Sequence, residues 1–163
     1  VSAIIGRDEI MQAAQETFIS STFWTERIAL AAAVKSIECY EKYNVAAHQE
    51  AVGNKVKSIW QEAADKYNLR IRIFGILPLI HFSFEYDNPL AYKTYFTQEM
   101  LAEGFLAANG VYASLAHTDE VLEKYKIACD RVFKKINDIV ISGENLEMYL
   151  NGPVCHSGFE RLN

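Results

Sequence analysis

Leu69-Arg70-Ile71-Arg72-Ile73 and Ile80-His81-Phe82-Ser83-Phe84-Glu85-Tyr86 are the stretches whose reading decides the fold. In both, apolar and polar residues alternate with a period of two, the pattern of a strand with one face on a core. Gly75 and Pro78 mark a turn or bulge between them. The flanks read as helices. Upstream, after Asn44, the residues Val52, Val56, Ile59, Trp60, Ala63 and Tyr67 recur at helical spacing. Gly53 interrupts that helix at a cost of ~1 kcal/mol relative to Ala. Downstream, Asp87-Asn88-Pro89 starts a helix, with Pro89 suited to its first turn. Asn109-Gly110 reads as a turn and residues 111–114 as a short strand. Thr118-Asp119-Glu120 then caps a long helix, whose Leu122, Tyr125, Cys129, Val132, Ile136 and Ile139 form an apolar stripe. The expected architecture is a small antiparallel or mixed sheet with helices on one face, an α+β fold.

Toward the N-terminus the signals are shorter. Residues 1–5 read as a strand ending at Gly6, and Asp8 as the cap of a short helix over 9–15. Ser20-Ser21-Thr22-Phe23-Trp24-Thr25 forms a hydroxyl-rich turn with two large aromatics. Thr25 is the expected N-cap of a helix from Glu26 to about Tyr43, rich in small alanines that allow close packing. After Ser142-Gly143 periodicity fades, and residues 143–163 read as an irregular tail that needs a surface to lean on.

With 163 residues, half of them hydrophobic, the chain is long enough for one well-packed domain. A formal charge of −5 with scattered basic residues speaks against a nucleic-acid partner. The longest apolar stretch, residues 71–84, is broken by Arg72, Gly75, Pro78 and His81, too short and interrupted for a membrane span. Cys39, Cys129 and Cys155 are widely spaced, without a C-x-x-C, and read as reduced cytosolic thiols serving as small hydrophobes. The start at Val1, strand-like and without a polar lead-in, reads as a piece of a longer polypeptide.

Glycine-rich phosphate loops, nucleophile elbows and zinc-helix signatures do not occur in this sequence. The four histidines, His48, His81, His117 and His156, lack ligand spacing, so no metal site is expected. His81 reads as a surface or hydrogen-bonded residue and His117 as structural. Cys155-His156 is not expected to form a nucleophile–base pair. Ser21 and Thr22 are compatible with a plain helix-entry turn, and Phe23 and Trp24 with core residues beside it. The same turn is also a common way to place hydroxyls and backbone N–H groups around a phosphate.

Gly6-Arg7-x-Glu9-Ile10-Met11, Thr17-Phe18-Ile19-Ser20-Ser21-Thr22, the Ala-rich helix, Gly110-Val111-Tyr112 and Ala116-His117-Thr118-Asp119-Glu120 follow a shared order. Together they resemble the class III aminotransferases that depend on pyridoxal 5′-phosphate, most of all the glutamate-1-semialdehyde aminomutase branch. The resemblance spans about residues 1–140. It implies the C-terminal portion of a fold-type I enzyme. Residues 1–43 would close the large cofactor domain and connect it onward, 44–142 would form the C-terminal small domain, and 143–163 a tail. It also implies a cytoplasmic homodimer acting on a small-molecule amino donor and acceptor. In that family the lysine that bonds the cofactor lies just before the strand matching Ile4-Ile5-Gly6, so the chain would begin after it and be inactive alone, with no catalytic residue of its own.

The resemblance carries over two cofactor-binding positions: Ser21 and Thr22 stand where the family's Gly-Thr pair donates to the cofactor phosphate. Trp24 stands where the sequence departs from the family, and would shape a substrate pocket. The stretch between Tyr112 and His117 is shorter than the aminomutase active-site loop and holds no Arg to clamp an α-carboxylate. The competing reading is a non-catalytic α+β binding or interaction domain derived from such an enzyme.

Overall fold

The computed structural model describes residues 3–19, 22–23 and 26–158. It divides into two compact units, Val1–Val45 and Ala46–Asn163.

In the first unit, α1 (Asp8–Met11) runs into a 3₁₀ turn, Gln12–Glu16, and α2 spans Arg27–Lys42. Residues 3–7 form no strand, contrary to the reading of 1–5. Ile4 and Ile5 are exposed and pair with no strand among the described residues, so local strand propensity alone builds nothing there. Asp8 is the first residue of α1 rather than its cap; Arg7 precedes it in an extended conformation and makes no side-chain cap bond. Thr25 lies outside the described residues. The α2 cap is Glu26, whose carboxylate accepts the N–H groups of Ile28 at 2.8 Å and Ala29 at 2.6 Å. Two charge-assisted bonds at the positive end of the helix outweigh the usual preference for a shorter cap residue.

The second unit holds α3 (Val45–Lys66), β1 (Ile71–Ile76), β2 (Leu79–Phe84), α4 (Pro89–Ala102), β3 (Gly110–Tyr112) and α5 (Asp119–Ser142). The strands form one antiparallel sheet in the order β1-β2-β3. Asn44 and Asn68 bound α3 in left-handed conformations, φ 47° and 50°, which Asn tolerates better than most residues. Asn88 caps α4 through its side-chain oxygen, with Pro89 at the first turn; Thr118 caps α5 in the same way, and Gly143 ends it at φ 71°. These boundaries lie within about two residues of those expected.

The core sits on one face of the sheet. Ile80, Phe82 and Phe84 of β2 are buried, while Leu79, His81 and Ser83 alternate onto the other face. Phe82, fully buried, is the common neighbour of three helices: its ring centroid lies 4.7 Å from Trp60 of α3, 5.2 Å from Phe96 of α4 and 5.9 Å from Phe133 of α5. Gly53 is buried on the α3 face that meets the β1–β2 turn, where a Cβ would stand 2.1 Å from the Leu77 carbonyl oxygen. Its cost in helix propensity is therefore the condition for the hairpin to lie against the helix.

The tail does find a surface. Leu146 is buried, Gln98 of α4 donates to the Tyr149 carbonyl and accepts the Asn151 N–H, and Thr94 Oγ1 accepts the Cys155 N–H at 2.9 Å. Cys39 and Cys129 lie in helices, but only Cys129 is buried; Cys39 and Cys155 are partly exposed, which departs from three core thiols. Burial pushes the Cys129 thiol up to about 12.

One buried polar contact ties α3 to α5: Trp60 Nε1–H donates to Tyr125 Oη at 2.9 Å. Burial holds the Tyr125 phenol well above its ordinary pKa. Tyr125→Phe removes the acceptor and leaves the Trp60 N–H desolvated without a partner, so we expect a loss of roughly 1–3 kcal/mol in urea unfolding. A midpoint unchanged from the parent would show that the bond contributes nothing net.

Candidate functional site

Three places collect groups able to do chemistry. The first is the entry to α2. Thr22 and Phe23 sit in an exposed turn, closed by the Glu26 N–H donating to the Phe23 carbonyl at 3.1 Å. The Thr22 hydroxyl and N–H bond to no described residue. Ser21 and Trp24, the other residues singled out from the sequence, lie outside the described residues. The α2 end itself is already occupied, because the Glu26 carboxylate takes two of its free N–H groups. An incoming phosphate would thus meet Thr22's own two donors and would compete with a carboxylate for the helix end.

The second place is the β3–α5 connection. His117 Nδ1 accepts the Ser114 N–H at 3.1 Å and lies 3.0 Å from Ser114 Oγ. A backbone N–H can only donate, so Nδ1 is unprotonated and the neutral ring carries its proton on Nε2. The Gln49 side-chain amide donates to the Ala113 carbonyl at 2.9 Å, an acceptor left free because Pro78 opposite it has no N–H. His48 Nε2 lies 3.2 Å from the Ser114 carbonyl. The expected structural role of His117 fits this geometry: the cluster pins the β3–α5 loop.

The third is the outer sheet face. His81 stacks on Phe74 with centroids 5.7 Å apart, and Arg72 lies over Phe74 at 5.6 Å. His81 covers Gly110, where a Cβ would approach the imidazole to 2.5 Å. Only glycine lets the ring lie flat there. Sequence pattern put His81 on this face but gave no sign of Gly110 beneath it, since the pairing crosses 29 positions of chain.

Lysines are disposed uniformly. All ten lie in α2, α3, α4 or α5. Hydrogen bonds to Asp130, Glu62 and Asp138 raise Lys66, Lys126 and Lys134 respectively above the ordinary amine value. This is opposite to the direction that makes an amine a nucleophile. Among the described residues no group of three or more His, Cys, Asp or Glu is arranged to hold a metal, and no helix is long and apolar enough to cross a membrane.

No family model matches the chain. Among curated proteins, it is 26% identical over 134 residues to the 2′-deamino-2′-hydroxyneamine transaminase of Streptomyces kanamyceticus, covering 78% of this chain and 34% of that protein. It is 27% identical over 128 residues to a 3-aminobutyryl-CoA aminotransferase of Cloacimonas acidaminovorans, covering 75% of this chain and 31% of that one. Among solved structures, the FumI protein of Sphingopyxis sp. MTA144, in its PLP internal aldimine form, superposes with a TM-score of 0.72 at 19% identity, over 85% of this chain and 34% of that one. The fold is thus that of one part of a pyridoxal-phosphate-dependent protein, and the two relatives in sequence are aminotransferases. The chain spans about a third of the length of these relatives.

Proposed function

We propose that this chain is the C-terminal part of a pyridoxal 5′-phosphate-dependent aminotransferase that moves an amino group between small amino and keto substrates. The observation that carries the reading is the agreement of two comparisons: aminotransferase relatives align over three quarters of the chain, and a PLP protein shares its fold. Both relatives in sequence are named as amino-group transferases, which favours transamination over the aminomutase reaction.

Bound pyridoxal phosphate supplies an electron sink for the substrate carbon bearing the amino group. The chain's own contribution is binding and positioning. Thr22, with an exposed hydroxyl and N–H that bond to no described residue, offers two donors to the phosphate, which fit one edge of such a site; Ser21, by the resemblance alone, would add its N–H. Trp24 bounds the substrate. The bond to the cofactor falls to a lysine elsewhere in the polypeptide, because every lysine here is helical and most are paired with carboxylates. The assembly is a cytoplasmic homodimer in which the phosphate site is completed across the interface.

The test is the absorbance of the complete natural gene product before and after borohydride, in the parent and in Thr22→Ala. A borohydride-sensitive cofactor band is expected in both. Cofactor retention should be roughly ten- to a hundred-fold weaker in the variant, since a charge-assisted donor contributes ~1.5–3 kcal/mol. Unchanged retention removes Thr22 from the site. A colourless product that takes up no added cofactor overturns the enzyme reading and leaves the non-catalytic binding domain, a reading favoured by the closed core of Ala46–Asn163, in which no described buried side-chain polar atom lacks a partner.

A further inference from the structure

The sheet ends at β3 in a state that specifies its neighbour. The Phe82 N–H donates to the Asn109 carbonyl at 2.9 Å and the Ala113 N–H to the Pro78 carbonyl at 2.9 Å. Antiparallel partners alternate, so Asn109, Val111 and Ala113 present their backbone groups to β2. The N–H and C=O groups of Gly110 and Tyr112 therefore point outward, and they bond to no described residue. Along this edge lies a cavity of about 270 Å³, with buried Val56, Leu122 and Tyr125 among its lining. No Asp, Glu, Lys or Arg lines it. Leu106 and Tyr112 on its wall are 98% and 74% exposed. His117, also in the lining, adds the Nε2–H donor, which bonds to no described residue.

We propose that β3 is continued by a fourth strand, contributed by a segment of the same polypeptide outside residues 1–163, and that an apolar side chain of that segment enters this cavity. The inference rests on the reading of the chain as part of a longer enzyme. Alternating donors and acceptors at strand spacing are matched by extended backbone and by little else. A lining without charged groups selects an apolar side chain. The edge also favours a tethered source. Two residues offer at most four backbone bonds, each worth only ~0.5–1.5 kcal/mol net, while free association costs roughly 4–15 kcal/mol. A segment on the same chain acts at an effective concentration of order mM without that full cost.

Amide hydrogen exchange tests this in the complete gene product. The Gly110 and Tyr112 amides should exchange at least about 100-fold more slowly than unpaired amides in the same sequence context, while Val111, already paired with β2, serves as the internal reference. Leu106→Asp in the complete product should return Gly110 and Tyr112 toward the fast rates and leave Val111 slow. Free-amide rates at Gly110 and Tyr112 beside a slow Val111 overturn the inference, and if the borohydride-sensitive band is present they do so without touching the enzyme reading. Slow exchange in a colourless product keeps the added strand and removes the cofactor. Slow exchange untouched by Leu106→Asp overturns the apolar anchor, and a gene product with no residues beyond these 163 overturns the proposal outright.

Discussion

Phe82→Ala is expected to cost about 3–5 kcal/mol, the largest loss from any single truncation in the second unit. The ring has no exposed surface and meets Trp60, Phe84, Phe96 and Phe133 at centroid distances of 4.7 to 5.9 Å. Its neighbours come from α3, α4, α5 and its own strand, so no one element can shift to close the void without opening another. Large-to-small changes cost most where the site cannot collapse. Against a total of ~5–15 kcal/mol for a folded domain, that loss leaves little margin. Phe74→Ala provides the contrast: the ring lies on the outer face and is 45% exposed, and its removal should cost under ~1 kcal/mol. Urea unfolding followed by circular dichroism measures both. Equal losses would mean that the buried face of β2 is not the centre of the core.

Gly53→Ala sets two effects against each other. Alanine in a helix interior is favoured over glycine by ~1 kcal/mol. The added Cβ, however, would lie 2.1 Å from the Leu77 oxygen, 2.6 Å from its carbonyl carbon and 2.9 Å from its Cα. All three are backbone atoms of the β1–β2 turn, so relief requires moving the hairpin rather than rotating a side chain. Overpacking of that kind costs ~1–3 kcal/mol or more, and we expect a net loss of about 2 kcal/mol. Gly152→Ala, where nothing lies within 4 Å and φ is not positive, should change stability by less than ~0.5 kcal/mol. A stabilised Gly53→Ala variant would show that the turn yields freely and that α3 and the hairpin are not in firm contact.

The second unit was legible in the sequence because each element carries a period and a stop. The α5 stripe from Leu122 to Ile139, the alternation of Ile80, Phe82 and Phe84, and the Asn88-Pro89 and Thr118 caps are local signals, and the structure uses each of them. The first unit misled where a local signal had no partner to realise it. Ile4 and Ile5 are exposed and pair with no described strand, and the α2 cap is Glu26, whose longer side chain reaches two N–H groups at once. The candidate site was legible only as far as residue type. Thr22 is exposed in its turn, and its donors bond to no described residue. The Gly110–His81 overlap and the Ser114–His117 lock depend on close approach in space, which neither periodicity nor composition encodes.

The seam between the tail and α4 also sets a clock. Thr94 receives the Cys155 N–H across 61 positions of chain. At ~5–20 residues per second, a ribosome that has just joined Thr94 needs roughly 3–12 s more to deliver Cys155. Helix formation and collapse take microseconds. The rest of α4, β3 and α5 are joined within that interval, and until it ends Thr94 and Gln98 lack their partners in the tail. The flank of α4 is therefore sealed by a segment synthesised after α3, α4, α5 and all three strands.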